Sequence, residues 1–501
     1  MYCPPYEGGP PRSGRGSLTG RPTLCQLGLK ETTLKEQAPF DVAIIGTGPG
    51  GYVAAIRAAQ LGLRTAVIEK DTRFGGTCLL RGCIPTKALL RDAHLLQELK
   101  RASQQGLFRM GEIEADFGKI QDRKNDVVEK MAKGVDFLLR KNKITSFRGY
   151  GSVASPNKIA VKGDGVTTEV NARHIIVATG SEAKSLPGYN IDEKSILSNI
   201  GALDLNHIPK SMVIVGGGAV GVEFASIYGS LGTKVTLIEV LPNIVPVEDE
   251  EVSKELKRIF TKKGIEVYSK ARLESAKAKD GGVEVTFRTE KDEVKKQDVE
   301  KLLMATGRGP NTVNIGLEKL GVATERGFIK VSPYMETSVK GVYAIGDVTP
   351  SPLLAHVASQ EGIVAVEAIA GKHPAPINYQ QVPACTYCDP QVASVGLTEA
   401  RAREAGYKVK AGKFPFTAIG KAKIEDAADG FVKIVADESY GEILGVHMIG
   451  NGVTEMIAEA VVALALEGTV DDLVNTIHAH PTMAEAVHEA MENVFGAAIH
   501  I

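Results

Sequence analysis

Tryptophan is absent from the 501 residues, and the aromatic share is only 5%. Cysteine is scarce: six thiols are too few for a disulfide-stapled secreted scaffold, so a reducing compartment is the default and each thiol is read by its neighbours. Neither charge sign is in excess. The 59 Lys plus Arg meet 60 Asp plus Glu, a net charge of −1 that gives no signal for nucleic acid or another polyanion. Long hydrophobic runs are missing too: no stretch of eighteen or more uncharged apolar residues occurs, and the most apolar late segment, Ile457 to Leu466, is broken by Glu459. Insertion into a membrane is therefore not expected.

What is abundant is glycine, 54 residues, against an average usage of about 7%. Turns that wrap nucleotides use glycine in this way. A length of 501 residues suggests three to four domains at about 150 residues each. The first 37 residues carry six Gly and five Pro, about twice the chain-wide density, with no apolar periodicity. They read as a disordered extension of a cytoplasmic protein. Arg12, Arg15 and Arg21 leave one other reading, an organellar transit peptide and a matrix location, but no amphipathic pattern supports processing.

At Phe40 the pattern changes. Asp41-Val-Ala-Ile-Ile reads as a buried strand, Gly46-Thr-Gly48-Pro-Gly-Gly51 as a tight turn, and the alanine-rich run to about Leu61 as a helix. A second strand, Arg64 to Glu69, ends in an acid 18 residues beyond Gly51, near the spacing of a dinucleotide fold. The unit then recurs as Met212-Val-Ile-Val, Gly216-Gly-Gly218-Ala-Val-Gly221, a helix through Ser230, and Lys234 to Glu239. Gly46 and Gly216, Gly51 and Gly221, Gly62 and Gly232, and Glu69 and Glu239 are all 170 positions apart, which implies two dinucleotide sites. Each copy closes on a similar strand and turn, His174 to Gly180 and Lys301 to Gly307.

The first copy spans 134 positions from Gly46 to Gly180 and the second 91 from Gly216 to Gly307. The difference contains Gly75-Gly-Thr-Cys78-Leu-Leu-Arg-Gly-Cys83-Ile-Pro-Thr-Lys87, a cysteine pair directly downstream of a nucleotide fingerprint, followed by a helix from Ala88 to Lys100. So small a loop adds little stability as a disulfide, and its place beside a dinucleotide turn favours redox chemistry over two small core residues.

Together with Gly341-Val-Tyr-Ala-Ile-Gly-Asp347 and His478-Ala-His480-Pro-Thr-Met-Ala-Glu485, these motifs resemble those of the flavin-dependent pyridine nucleotide-disulfide oxidoreductases, from about Phe40 to the C-terminus. The resemblance implies an α/β fold: two Rossmann-like dinucleotide-binding domains plus a C-terminal α+β dimerisation domain. Behind the extension 1–37 it places an FAD-binding domain with the redox cysteines at 38–183, an NAD-binding domain at 184–308, a central domain completing the FAD site at 309–377, and the dimerisation domain at 378–501.

By that resemblance Glu69 contacts the FAD ribose, Asp347 the ribityl chain, and Lys87, paired with Glu223, the flavin edge. Gly46, Gly48, Gly51, Gly151, Thr179, Gly180, Ser181, Leu353, Leu354, Ala355 and His356 complete the FAD set. Gly216, Gly218, Gly221, Glu239 and Gly307 form the nicotinamide set. A physical argument selects NAD there: an acid at Glu239 accepts from a ribose 2′-hydroxyl and repels a 2′-phosphate, and Val240, Leu241, Pro242 and Asn243 supply no cationic clamp.

The implied reaction is oxidation of protein-bound dihydrolipoamide by NAD through FAD and a Cys78–Cys83 disulfide. Cys78 is the sulfur attacked, Cys83 faces the flavin, and His480 of the other subunit of a homodimer is the base. Glu485 has two readings, a helix capping box with Thr482 or an orienting acid for His480. Arg81 also has two, favouring a nearby thiolate or pointing into solvent; with Leu80 it stands where the family pattern commonly has Asn and Val. Cys385 and Cys388 form a CxxC with no second pair at zinc-like spacing and read as structural thiols, so no metal is expected. A mercuric-ion reductase would carry a cysteine pair at the C-terminus, which Phe495 to Ile501 lacks; a transhydrogenase-like flavoprotein would not need Cys78 and Cys83; and a silent scaffold would have lost Cys78, Cys83 or His480. The expected partners are the lipoyl domains of 2-oxoacid dehydrogenase or glycine-cleavage complexes.

Overall fold

The computed structural model describes residues 38–109 and 111–501; the expected N-terminal extension lies outside the described residues. Two parallel sheets dominate, and their order is the same. The first runs Thr145–Arg148, Thr65–Glu69, Phe40–Ile45, the second half of Val166–Val177, then Val342–Ala344. The second runs Glu266–Tyr268, Lys234–Ile238, Ser211–Val215, Lys301–Met304, then Ile196–Leu197. Strands such as Thr65–Glu69 are buried along their whole length, as parallel strands covered on both faces must be.

The two copies differ in where the fifth strand comes from. In the second it precedes the glycine turn in the chain; in the first it arrives after the whole second unit has been completed. Each copy also carries an antiparallel three-stranded excursion that leads into its fourth strand. In the first, Tyr150–Ser155 pairs with Lys158–Gly163, which pairs with the beginning of Val166–Val177; in the second, Arg272–Lys279, Gly282–Arg288 and Val294–Val299 form the ribbon.

The extra length of the first copy is helical: Gly76–Arg81, Cys83–Gln104 and Phe117–Lys141. Helix Pro49–Gln60 lies against helix Ala355–Ile369 at a distance only glycine allows. A Cβ on Gly50 would press on the Ala358 carbonyl, and one on Gly362 on the Gly50 carbonyl.

The C-terminal part is α+β. Its antiparallel sheet runs Ala384–Thr386, Gln391–Gly396, Ile443–Gly450, Phe431–Asp437, Val409–Pro415, with helices Val453–Ala465 and Glu485–Glu492 packed on it. Cys388, Val392, Phe431 and Ile449 join the core of the second unit, so the sheet is fused to it through apolar contact. Among the described residues no helix is long and apolar enough to cross a membrane.

Candidate active site

Both glycine turns have the backbone the sequence demands. Gly46 and Gly216 take φ values of 102° and 107°, accessible without cost only to glycine. A Cβ on Gly51 would overlap the Gly46 carbonyl oxygen, and one on Gly221 would overlap that of Gly216, so each helix starts pressed against its own turn. Gly48 and Gly218, by contrast, face open space, as a pyrophosphate approaching the helix start requires.

The acid ending the second strand of each unit makes matching contacts. Glu69 accepts from the Thr47 N–H and from the Asp71 N–H, both at 2.9 Å; Glu239 accepts from the Gly217 N–H at 2.6 Å and from the Leu241 N–H at 2.7 Å. Each carboxylate is thus held at the mouth of its turn with lone pairs left for a ribose hydroxyl. The copies differ at one atom group, since the Thr47 hydroxyl also donates to Glu69 and Gly217 has no counterpart. These features fit FAD on the first unit and NAD on the second.

The cysteines sit at a helix break. Cys78 lies in Gly76–Arg81, Gly82 separates the two helices, and Cys83 opens the 22-residue helix Cys83–Gln104, where the helix dipole favours a thiolate. The two thiols hydrogen-bond to each other. That bond lowers the Cys83 pKa to about 7, aided by the Lys87 ammonium and opposed by burial and by Glu223. Cys78 is driven strongly upward by the same bond, by burial and by the charge on Cys83. The two thiols are thus shifted in opposite directions, and Cys83 is the one more readily ionised.

Lys87 lies one turn along the helix from Cys83. Its Nζ donates to both oxygens of buried Glu223 at 2.8 and 2.9 Å and stands 4.6 Å from the Tyr387 ring centre. Burial alone would lower its pKa, but Glu223 outweighs burial and the ammonium is held above its ordinary range. The Tyr387 N–H completes the Glu223 shell at 2.9 Å.

Strand Val342–Ala344 delivers Asp347 to the carboxyl end of the first sheet, where ligands of such sheets bind. Asp347 accepts from the Ser181 hydroxyl. Behind Ser181 stands Arg308, a residue sequence reasoning missed although it follows Gly307 directly. Its Nε donates to Ser181 Oγ at 2.7 Å and its Nη2 to the Ser181 carbonyl at 2.6 Å. Thr179 is fixed by a 2.7 Å bond from its hydroxyl to the Asn311 carbonyl. Leu354 caps helix Ala355–Ile369, and His356 Nε2 contacts the Pro383 carbonyl at 2.9 Å. Gly151 is a close-approach site, for a Cβ there would press on Ile45 and Ile68.

His480 is 77% exposed, its Nδ1 2.8 Å from Glu485 Oε1. The other oxygen of Glu485 accepts from the Thr482 N–H at 2.9 Å. The capping and orienting uses expected as alternatives are thus divided between two oxygens of one carboxylate. The box itself is half made, because the Thr482 hydroxyl donates to the Ala479 carbonyl and helix Glu485–Glu492 starts beyond Ala484. Burial raises the Glu485 pKa, but the bonds from His480 and Thr482 offset this and hold it below the ordinary carboxylate value. Among the described residues no hydrogen bond or ion pair within the chain joins His480 to Cys78 or Cys83.

Arg81 has a partner that neither expected reading named: its guanidinium, 31% exposed, pairs with Asp71, ten positions back, and its carbonyl accepts from Asn199 Nδ2 at 2.7 Å. Cys388 is buried with its thiol donating to the Pro390 carbonyl at 3.1 Å, and burial pushes Cys385 up to about 11, which suits unreactive structural thiols. Among the described residues no group of three or more His, Cys, Asp or Glu is placed to hold a metal.

Comparison with known proteins now decides the family. Residues 40–362 match the model described as pyridine nucleotide-disulphide oxidoreductase, and residues 382–491 match the dimerisation domain of the same group. The chain belongs to the pyridine nucleotide-disulphide oxidoreductase family. Among curated relatives, the dihydrolipoyl dehydrogenase of Bacillus subtilis (strain 168) is 46% identical over 471 residues, covering 92% of this chain and 99% of that protein. The mitochondrial dihydrolipoyl dehydrogenase 1 of Arabidopsis thaliana is 44% identical, covering 92% and 91%. Among solved structures, LpdA from Mycobacterium tuberculosis superposes with a TM-score of 0.82 at 28% identity, covering 90% of this chain and 98% of that one. Of the family's matched regions, the first holds both glycine turns, the cysteine pair, Lys87, Glu223 and Asp347, and the second holds His480 and Glu485.

Proposed function

We propose that this chain is a dihydrolipoyl dehydrogenase, oxidising dihydrolipoamide carried on a partner protein and reducing NAD, with Cys78, Cys83, Lys87, Glu223, Asp347, His480 and Glu485 as its working residues. The observation that carries the residue assignment is the thiol pair at the start of helix Cys83–Gln104, with the Lys87–Glu223 ion pair one turn along that helix. Domain limits of 38–183, 184–308, 309–377 and 378–501 suit the two sheets, the returning strand with Asp347, and the C-terminal sheet.

In this reading the enzyme works as a homodimer. His480 is exposed and has no tie to the cysteines of its own chain, so it serves those of a second copy, brought near by the dimerisation domain. Its imidazole takes a proton from a substrate thiol while Glu485 holds the ring through Nδ1, leaving Nε2 for the proton. The substrate thiolate attacks Cys78 Sγ, the Cys78–Cys83 bond breaks, and Cys83 leaves as a thiolate, the form its environment favours. The second substrate thiol then displaces Cys78, releasing the cyclic disulfide and leaving the electron pair on the two cysteines. FAD held at the first glycine turn by Glu69 and Asp347 would supply the redox chemistry that carries this electron pair on to NAD. Lys87 provides a fixed positive charge beside Cys83, and Glu223 keeps it in place.

The lipoyl-bearing partner would be a 2-oxoacid dehydrogenase or glycine-cleavage complex, in a cytoplasm or an organellar matrix. The test is NADH formation by the purified flavoprotein from dihydrolipoamide and NAD, against NADP and against oxidised glutathione with NADPH. Rapid NAD-linked turnover is expected. Reduction of glutathione by NADPH with no activity on dihydrolipoamide would overturn the reading.

A further inference from the structure

His480 lies in a segment without regular structure, between helices Val470–Val474 and Glu485–Glu492. From Asn475 to Pro481 every residue is exposed except His478, whose side chain is 8% accessible. This ring is held at several points. Nε2 lies 2.7 Å from Glu459 Oε1 on helix Val453–Ala465, and Nδ1 lies 3.0 Å from the Thr476 carbonyl. The edge of the ring packs on His488, with centres 5.6 Å apart, and His488 Nε2 is itself 3.1 Å from the Val474 carbonyl.

The segment thus presents two histidine–carboxylate pairs of opposite character. His480 with Glu485 faces solvent and is anchored to the helix that follows. His478 with Glu459 is turned inward and is anchored to a different helix, one packed on the C-terminal sheet. Only Ala479 separates the two histidines, so the position of the outer ring depends on the tether of the inner one. Glu485 alone fixes the orientation of the His480 ring but not the path of the backbone that carries it.

We infer that Glu459 and His478 are positioning residues for His480, acting as a tether that sets the segment at the height where the base meets its substrate. The inference rests on the reading of His480 as the base. Loss of the tether leaves both dinucleotide sites intact and lets the base wander. Displacement by about 1 Å at a reacting centre can cost on the order of a hundredfold in rate, so a partial loss of about tenfold is a reasonable scale for a loosened segment.

The test uses the FAD-loaded enzyme in two assays: NAD-linked dihydrolipoamide oxidation, and NADH oxidation by ferricyanide, which needs flavin and nicotinamide but no thiol base. Variants are Glu459→Ala, Glu459→Gln, His478→Ala and, as reference, His480→Gln. Glu459→Gln keeps an oxygen acceptor facing His478. The expected result is a fall of about tenfold or more in kcat for dihydrolipoamide in Glu459→Ala and His478→Ala, an unchanged KM for NAD, an unchanged ferricyanide rate, and recovery of most of the activity in Glu459→Gln. Wild-type dihydrolipoamide turnover in Glu459→Ala overturns the tether. A parallel fall in both assays overturns it too, since that marks general loss of structure. Full activity of His480→Gln would instead overturn the base assignment on which the tether rests.

Discussion

Lys87 and Glu223 are 136 positions apart and belong to different dinucleotide units, yet Lys87 Nζ donates to both oxygens of Glu223 at 2.8 and 2.9 Å. The ion pair joins the thiol-bearing helix to the helix that opens the second unit. One acid therefore serves both halves, fixing the cation beside Cys83 and accepting from the backbone of Tyr387.

The charge on Cys83 provides the first prediction. Its pKa, lowered to about 7 chiefly by the bond from Cys78 and also by Lys87, makes the thiolate dominant above neutrality. In the reduced enzyme, iodoacetamide labelling of Cys83, located by mass spectrometry, should rise as pH passes through about 7. Cys78→Ala and Lys87→Met should each move the rise to higher pH. An unmoved profile in both variants would show that neither group supports the thiolate.

The base can be tested separately. Replacing His480 with Gln should lower dihydrolipoamide oxidation by about 10²–10⁴-fold, the usual span for a general base, with FAD content unchanged. Glu485→Ala should cost less, because it loosens the ring without removing it.

At the second glycine turn, Glu239→Ala should raise KM for NAD by about tenfold to a hundredfold, on the scale of about 1.5–3 kcal/mol for a hydrogen bond to a charged group. Steady-state kinetics with NAD and NADP would show reduced discrimination between them. Gly51→Ala should act on the other unit: the added Cβ overlaps the Gly46 carbonyl, so the protein should purify with little yellow flavin, as its absorbance at visible wavelengths would reveal.

Glu248 makes a stability prediction with a definite sign. Burial, with help from Asp249 and against the bond from Ser394, raises its pKa to about 7, and Oε2 has no partner. A carboxyl whose folded value lies above its unfolded one weakens the fold as pH rises from about 4 to 7, and the penalty is complete above that. Glu248→Gln should thus stabilise the protein by about 2 kcal/mol at pH 8, at roughly 1.4 kcal/mol per pKa unit with an allowance for relaxation, and have little effect near pH 4.5. Chemical denaturation at the two pH values checks it.

The repeat was readable because glycine leaves a stringent trace. Gly46 with Gly216 and Gly51 with Gly221 occupy places where other residues would collide or adopt a forbidden backbone, so the 170-residue shift survives in the sequence. The position of His480 beside Glu485 was equally legible, being a local motif. Contacts made by folding were not. Nothing near Arg81 names Asp71 as its partner, and nothing in a lone Arg308 announces that it backs Ser181 and Asp347. The shared fifth-strand position was hidden for another reason: Ile196–Leu197 and Val342–Ala344 are too short to carry a strand pattern.

That fifth strand has a consequence for how the protein is made. The first sheet cannot be closed until Val342–Ala344 has been synthesised, long after Val166–Val177, its neighbour, has left the ribosome. At about 5–20 residues per second the wait is on the order of ten seconds. During that time the second unit, whose five strands lie in one continuous stretch from Ile196 to Met304, has all it needs to form its sheet. The second unit is thus an insertion that matures inside an unfinished host, and a chain truncated after residue 310 would keep the later-born sheet while exposing an open edge on the earlier one.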